Sequence, residues 1–117
     1  MIKIKRVYEP VSKTDGTRIL VDRLWPRGIT QEAAEVNEWR KEIAPSDQLR
    51  KWYGHKAEKF NEFRKRFTIE LNKEEPRKIL ESLRERAKKE TITLVYSAKD
   101  EEHNNAVVLL ELVKKST

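Results

Sequence analysis

Apolar and basic positions alternate at the start of the chain, in IKIKRVY (2–8), and that period of two predicts a strand. TDGT at 14–17 is a turn signal, with Gly16 able to take positive φ. RILVDRL (18–24) predicts a second strand, and the unbroken Ile19-Leu20-Val21 implies burial on both faces. The connection between the two is short for a helical crossover, which points to an antiparallel pair or an irregular wrap.

Helical spacing follows. Thr30 is placed to cap the helix QEAAEVNEWRKEI, on which Ala33, Val36, Trp39 and Ile43 recur at the helical period. Pro45-Ser46-Asp47 stops that helix and starts a short one, DQLRKWY, closed by Gly54. Residues 56–72 predict a longer helix with Phe60, Phe63 and Phe67 on one core-facing stripe. Pro76 suits the first residue of a helix over 76–89, with Ile79, Leu80, Leu83 and Ala87 inward. TITLVYSA (91–98) is the strongest strand signal: Ile92, Leu94 and Tyr96 share one face and Val95 takes the other. Asp100 can cap a final helix over 101–115 that buries Ala106, Val107, Leu110 and Val113. The order β-β-α-α-α-α-β-α defines an α/β chain. It predicts a single small layered domain over 1–117, with a short sheet (strands near 2–8, 18–24 and 91–98) packed by about five helices.

Composition narrows the class. With 37% apolar and 39% charged residues, the core must be compact beneath a densely charged surface. The absence of cysteine excludes a disulfide framework, thiolate zinc sites and thiol nucleophiles, and it suits a cytoplasmic protein. No apolar run approaches membrane-spanning length, so no membrane partner is expected. The net charge of +6 raises a nucleic-acid partner. Its distribution weakens that reading, because Lys/Arg and Asp/Glu interleave over 56–90 as on a solvated helix face. Two histidines far apart make a poor metal site, and no phosphate loop, GxGxxG, HExxH or nucleophile elbow is present.

The unusual residues gather in three places. All three tryptophans, both histidines, two of the three glycines and two of the three tyrosines fall within 22–28, 39–55 and 96–103. The first and third of these stretches follow predicted buried strands and precede helices. In open α/β sheets such loops form ligand crevices, so the two would share one site if their strands lay adjacent and parallel. Arg23 and Arg27 offer planar donor forks for phosphate or carboxylate, and Gly28 allows close backbone approach. Trp25 could stack on a ligand or plug the rim. Asp22 is either a general base or, as the favoured reading, the counter-ion of an arginine with a lowered pKa. In the third stretch Ser97 and Lys99 lead into a helix N-terminus, a natural anion site. His103, in that helix's expected first turn, and His55 are candidate proton carriers, with Asn104 beside the former. The middle stretch adds Arg50, Trp52 and Tyr53, and helical offsets of three to four put Ser46, Arg50 and Tyr53 on one face.

Together RILVDRLWPRG, APSDQLRKWYGH and LVYSAKDEEHNNA resemble the domain of unknown function 488 family, in its YeaO-like branch. The resemblance spans nearly the whole chain and implies a single α/β domain without an established reaction or cofactor. The wider family shows a pattern similar to LLCAEKDPEHCHR after its last strand. Lys99, Asp100 and His103 match it, whereas Tyr96 and Asn104 stand at its cysteines, and Asn105 and Ala106 replace its final His-Arg. Thiol or Cys/His metal chemistry of the wider family therefore has no counterpart here.

Three readings follow from these residues. In the first, Arg23, Arg27 and Lys99 clamp an anionic small molecule, Trp25, Trp52, Tyr53 and Tyr96 wall it in, and His55, His103 or Asp22 move protons in any reaction. In the second, the same arginines and aromatics bind nucleic acid. In the third the motif is structural, with Arg23 and Arg27 paired to Asp22, Asp47 or Asp100.

Overall fold

The structure, a computed structural model, describes residues 1–115. Its centre is a four-stranded, wholly parallel sheet in the order β1-β4-β2-β3, with β1 at Ile2–Arg6, β2 at Thr17–Leu20, β3 at Glu38–Trp39 and β4 at Ile92–Tyr96. β4 lies between two neighbours, in register Ile2↔Ile92 on one side and Thr17↔Ile92 on the other. A strand flanked on both edges and covered on both faces must be apolar throughout, and all five residues of β4 are buried. Ile19, Leu20 and Val21 are buried as the unbroken apolar run requires.

The antiparallel alternative for the first two strands is overturned, since β1 and β2 both run parallel to β4, which lies between them. Residues 7–16 make the return as an irregular strap with one 3₁₀ turn, Lys13–Asp15. Ser12 and Asp15 hold that turn by a reciprocal capping box.

The helices are α1 (Gln31–Ala34), α2 (Asp47–Tyr53), α3 (Phe60–Leu71), α4 (Glu74–Ala87) and α5 (Asn105–Lys115). One sheet face, through Ile19, Ile92, Leu94 and Tyr96, packs on Phe63 and Phe67 of α3, Leu83 of α4 and Leu109 of α5. The other face carries a smaller layer of Val7, Leu20, Ala34 and Val95, closed by Trp25, Ile29, Val36 and Trp39. The phenylalanine stripe and the opposite facing of Val95 agree with the sequence pattern. Pro76 lies in the first turn of α4, where its missing N–H leaves no intrahelical bond unmade.

The long helix expected over 31–43 does not form. α1 ends after one turn because Glu35 turns left-handed (φ +47°), and the buried Arg18 guanidinium takes the Ala34 carbonyl. Asn37 then donates its backbone N–H to the Arg18 carbonyl and accepts the Arg18 N–H on its side-chain oxygen, which docks Glu38 and Trp39 against β2. The apolar spacing of Val36, Trp39 and Ile43 was real as burial. It is realised by an edge strand and a 3₁₀ turn, because pairing with β2 outweighs a weak helix preference. α5 also starts late, at Asn105, and buries Ala106, Val108, Leu109 and Val113, with Val107 and Leu110 only half-buried.

Candidate functional site

Because the sheet is parallel, all its carboxyl ends point the same way. From β2 the chain leaves through α1 toward β3 on one side, and from β4 it leaves into α5, which packs against β1 and β4 on the other. The crevice between the ends of β2 and β4 is thus the point where the connections diverge, the usual position of a ligand site in this class of sheet. A cavity of about 370 Å³ opens there. It is lined by the segment 22–27 after β2, by Ser97 and Ala98 after β4, by Tyr8 after β1, by Pro45, Arg50 and Tyr53 around α2, by His55, and by Asn104 and Asn105 at the start of α5, with Phe63 beneath.

Asp22 is the fastener between the two strand ends. Its carboxylate accepts from Ser97 N (2.9 Å) and Ser97 Oγ (2.7 Å), and from Asn105 Nδ2 at 3.2 Å. Its carbonyl accepts from Trp39 Nε1 at 2.7 Å. The expected counter-ion role is overturned, because among the described residues no guanidinium reaches this carboxylate. Burial instead pushes its pKa above the ordinary carboxylate value, against the bonds from Ser97 and Asn105 and the nearby His55, which pull it down. Ser97→Ala removes the hydroxyl bond that favours the ionised form and keeps the backbone N–H one. The Asp22 carboxyl, followed by carbon NMR, is therefore expected to titrate higher still in that variant than in the wild type, and an unchanged or lower midpoint would contradict this geometry.

The arginines divide by role. Arg23 donates from Nε to the Pro45 carbonyl (2.8 Å) and from Nη2 to the Ala44 carbonyl (3.3 Å), which ties the loop after β2 to the start of α2. Arg27 is exposed, and among the described residues its guanidinium has no ion-pair partner; its carbonyl accepts from Tyr8 Oη at 2.7 Å. Arg50 reaches Asp47 with Nη2 at 3.3 Å, while its Nε is buried with no hydrogen-bond partner among the described residues. The pairing of Arg23 and Arg27 with Asp22, Asp47 or Asp100 is therefore absent among the described residues. Arg27→Ala is expected to leave stability within about 0.5 kcal/mol of wild type in a denaturant melt, whereas Arg23→Ala should cost about 1–3 kcal/mol by freeing two loop carbonyls.

Tyr53 sits beneath the cavity, stacked on Phe63 at 4.3 Å between ring centroids, with its hydroxyl donating to the His103 carbonyl at 2.8 Å. Burial, with the nearby Asp100 and Glu58 charges, pushes its phenol pKa up. Gly54 closes α2 in the left-handed conformation, and His55 continues it at φ +58°, which carries the imidazole to the cavity wall.

Five residues expected at the site lie elsewhere. Tyr96 is 2% exposed in the sheet core, because its strand parity is that of Ile92 and Leu94. Trp52 is covered by Lys59 Nζ (4.8 Å) and the Arg66 guanidinium (4.1 Å). Lys99 is exposed outside the cavity wall, and Gly28 is exposed in a φ +74° turn that needs glycine for its backbone and not for a ligand. His103 precedes α5 and does not belong to its first turn; Asn104 Oδ1 caps that helix by accepting from Val107 N. The His103 ring pairs with Asp100 (2.9 Å) and stands edge-on to Phe60, away from the cavity. Trp25 plugs the rim: its indole donates to the Ile29 carbonyl and meets Trp39 edge to face.

Two wall residues with hydrogen-bonding side chains were missed, Tyr8 and Asn105. Tyr8 lies two residues past β1 as Asp22 lies two past β2, so the strand-end rule applied to the first strand would have found it. Asn105 stood out in the sequence only as a departure from the pattern of the wider family. Among the described residues there is no group of three or more His, Cys, Asp or Glu side chains placed to hold a metal, and no helix is long and apolar enough to cross a membrane.

A parallel α/β sheet with a cleft at its topological switch point is the class of protein that fold and site define. Within that class, the chain belongs to the inactive DUF488-N3 subclade, whose family model matches residues 1–117. It is 43% identical over 113 residues to the uncharacterised protein YeaO of Escherichia coli, covering 97% of this chain and 96% of that one. Uncharacterised proteins of Mycobacterium tuberculosis and Mycobacterium bovis are each 38% identical over 112 residues, covering 96% of this chain and 92% of theirs. No solved structure matches the chain significantly.

Proposed function

We propose that this protein binds a small anionic ligand, bearing phosphate or carboxylate, in the cleft between the ends of β2 and β4. The observation that carries the reading is Arg50: its side chain lines a cavity that also holds Arg23 and Arg27, and its buried Nε has no acceptor among the described residues. A donor left unmade in this way costs free energy that an entering oxyanion would recover. Apolar walls from Trp25, Pro26, Pro45 and Phe63 lower the local dielectric and strengthen any such contact.

Binding without turnover is favoured over catalysis. His103 is outside the cavity, Asp22 is occupied by three donors, and the subclade is described as inactive. Nucleic acid has less support, because Trp25 and Trp52, the platforms that would stack bases, are engaged within the fold.

A thermal-shift panel of inorganic phosphate, sulfate, acetate and mononucleotides tests the reading. At ten times its Kd a bound anion adds about 1.4 kcal/mol to stability. That gain is expected for at least one anion and should disappear in Arg27→Ala and in Arg50→Ala. No gain with any of them in the wild type would reject it. In filter binding at two salt concentrations, nucleic-acid binding that falls steeply with salt and survives both substitutions would move the function elsewhere.

A further inference from the structure

Beneath the arginines, the floor of the same cleft has the opposite character. Asn105 Nδ2 faces two acceptors, the Val21 carbonyl (3.0 Å) and Asp22 Oδ1 (3.2 Å), so the amide is fixed with its nitrogen inward. Its oxygen has no hydrogen-bond partner among the described residues, and Asn105 lines the cavity. Ser97 spends its single hydroxyl proton on Asp22, which leaves the Ser97 oxygen only as an acceptor. A carboxylate offers about four acceptor positions, and Asp22 fills three, two on Oδ2 and one long contact on Oδ1. Three acceptors therefore lie at the sheet end, and among the described residues no further donor is hydrogen-bonded to them.

We infer that the ligand is bifunctional: a head bearing N–H donors, an ammonium, guanidinium or amide-like group, meets Asp22, Ser97 and Asn105, while its anionic end meets Arg27 and Arg50. This rests on the anion-cleft reading and adds the chemistry of the other end. A simple inorganic anion leaves the floor unpaired, and a simple cation leaves Arg50 Nε unpaired. Only a molecule carrying both groups satisfies both ends of the cleft.

Isothermal titration calorimetry with two probe series decides the matter. The first contains ω-amino- and ω-guanidino-carboxylates of increasing chain length, and the second the parent alkyl carboxylates without the head group. Hydrogen bonds to a charged partner predict that, at one chain length, the headed compound binds about tenfold to a hundredfold tighter than its parent. Asp22→Asn and Asn105→Ala should erase that ratio while keeping the affinity for the parent, with thermal melts verifying that both variants fold. If either variant does not fold, the wild-type ratio alone decides. Equal affinity for headed and parent compounds at every length overturns this proposal and leaves the anion cleft standing. No binding of any carboxylate, together with a negative phosphate and nucleotide panel, overturns both. Saturable heat with magnesium chloride alone, lost in Asp22→Asn, would make the floor a cation site and overturn the bifunctional ligand.

Discussion

Asp15→Ala is expected to destabilise the protein by about 3–5 kcal/mol, a large share of the 5–15 kcal/mol typical of a small domain. Asp15 is 1% exposed and sits beside Arg18, which is 2% exposed, with Nη1–Oδ2 at 2.7 Å. Lys5 Nζ reaches both carboxylate oxygens at 3.1 and 3.2 Å, and the Ser12 N–H donates to Oδ2 at 3.0 Å. Removing the carboxylate leaves a buried guanidinium with only the Ala34 carbonyl, and it breaks the box that closes the strap between β1 and β2. Urea titration measures the loss, and a cost under about 1 kcal/mol would show the pair to be dispensable. The same group sets an acid limit. Burial alone would raise the Asp15 pKa, but bonds from Ser12, Lys5 and Arg18 outweigh it and hold it below 3.8. Stability from a depressed carboxylate is full above its unfolded pKa and is lost as pH falls through the folded one. Glu38, held down first by its bond from Arg86, acts in the same sense. The wild type should therefore lose stability below about pH 4, and Asp15→Asn should flatten that loss.

Gly16→Ala should be equally severe, at about 3 kcal/mol or more, since it combines backbone strain with overpacking. Gly16 has φ +63°, and a Cβ there would lie 2.2 Å from the Thr91 carbonyl oxygen. That oxygen accepts the Thr17 N–H at 3.0 Å, at the point where β2 and β4 set their register. The clash falls on backbone, so no side-chain rotamer relieves it. A melting temperature within a few degrees of wild type would contradict the packing, because about 1 kcal/mol corresponds to roughly 4 °C at this chain length. The damage reaches the cleft as well, because the β2–β4 register is what brings Asp22 to Ser97.

Much of this architecture is written locally. The unbroken Ile19-Leu20-Val21, the alternation through 92–96 and the Phe60-Phe63-Phe67 stripe each specify one element and its buried face, and the structure agrees. Placing a site at the loops after β2 and β4 depended on their being adjacent and parallel, which the pairing supplies. What was not legible depends on distant partners. Glu38 and Trp39 become a strand only because Arg18 and Asn37 dock them. Asp22 is near Arg23 in sequence yet bonds Ser97, 75 positions away. Tyr96 was excluded by strand parity already visible in the sequence, whereas the cover over Trp52 comes from side chains of the neighbouring helical segment.

The most direct test of the anion cleft is a proton–nitrogen NMR titration of the arginine Nε–H signals with inorganic phosphate. Arg50 Nε is expected to shift saturably by about 10 mM, tenfold above a millimolar affinity, and to stop responding in Arg27→Ala. An Arg50 signal that stays still throughout, while exposed arginines drift together as they do in a nonspecific ionic atmosphere, would contradict the account.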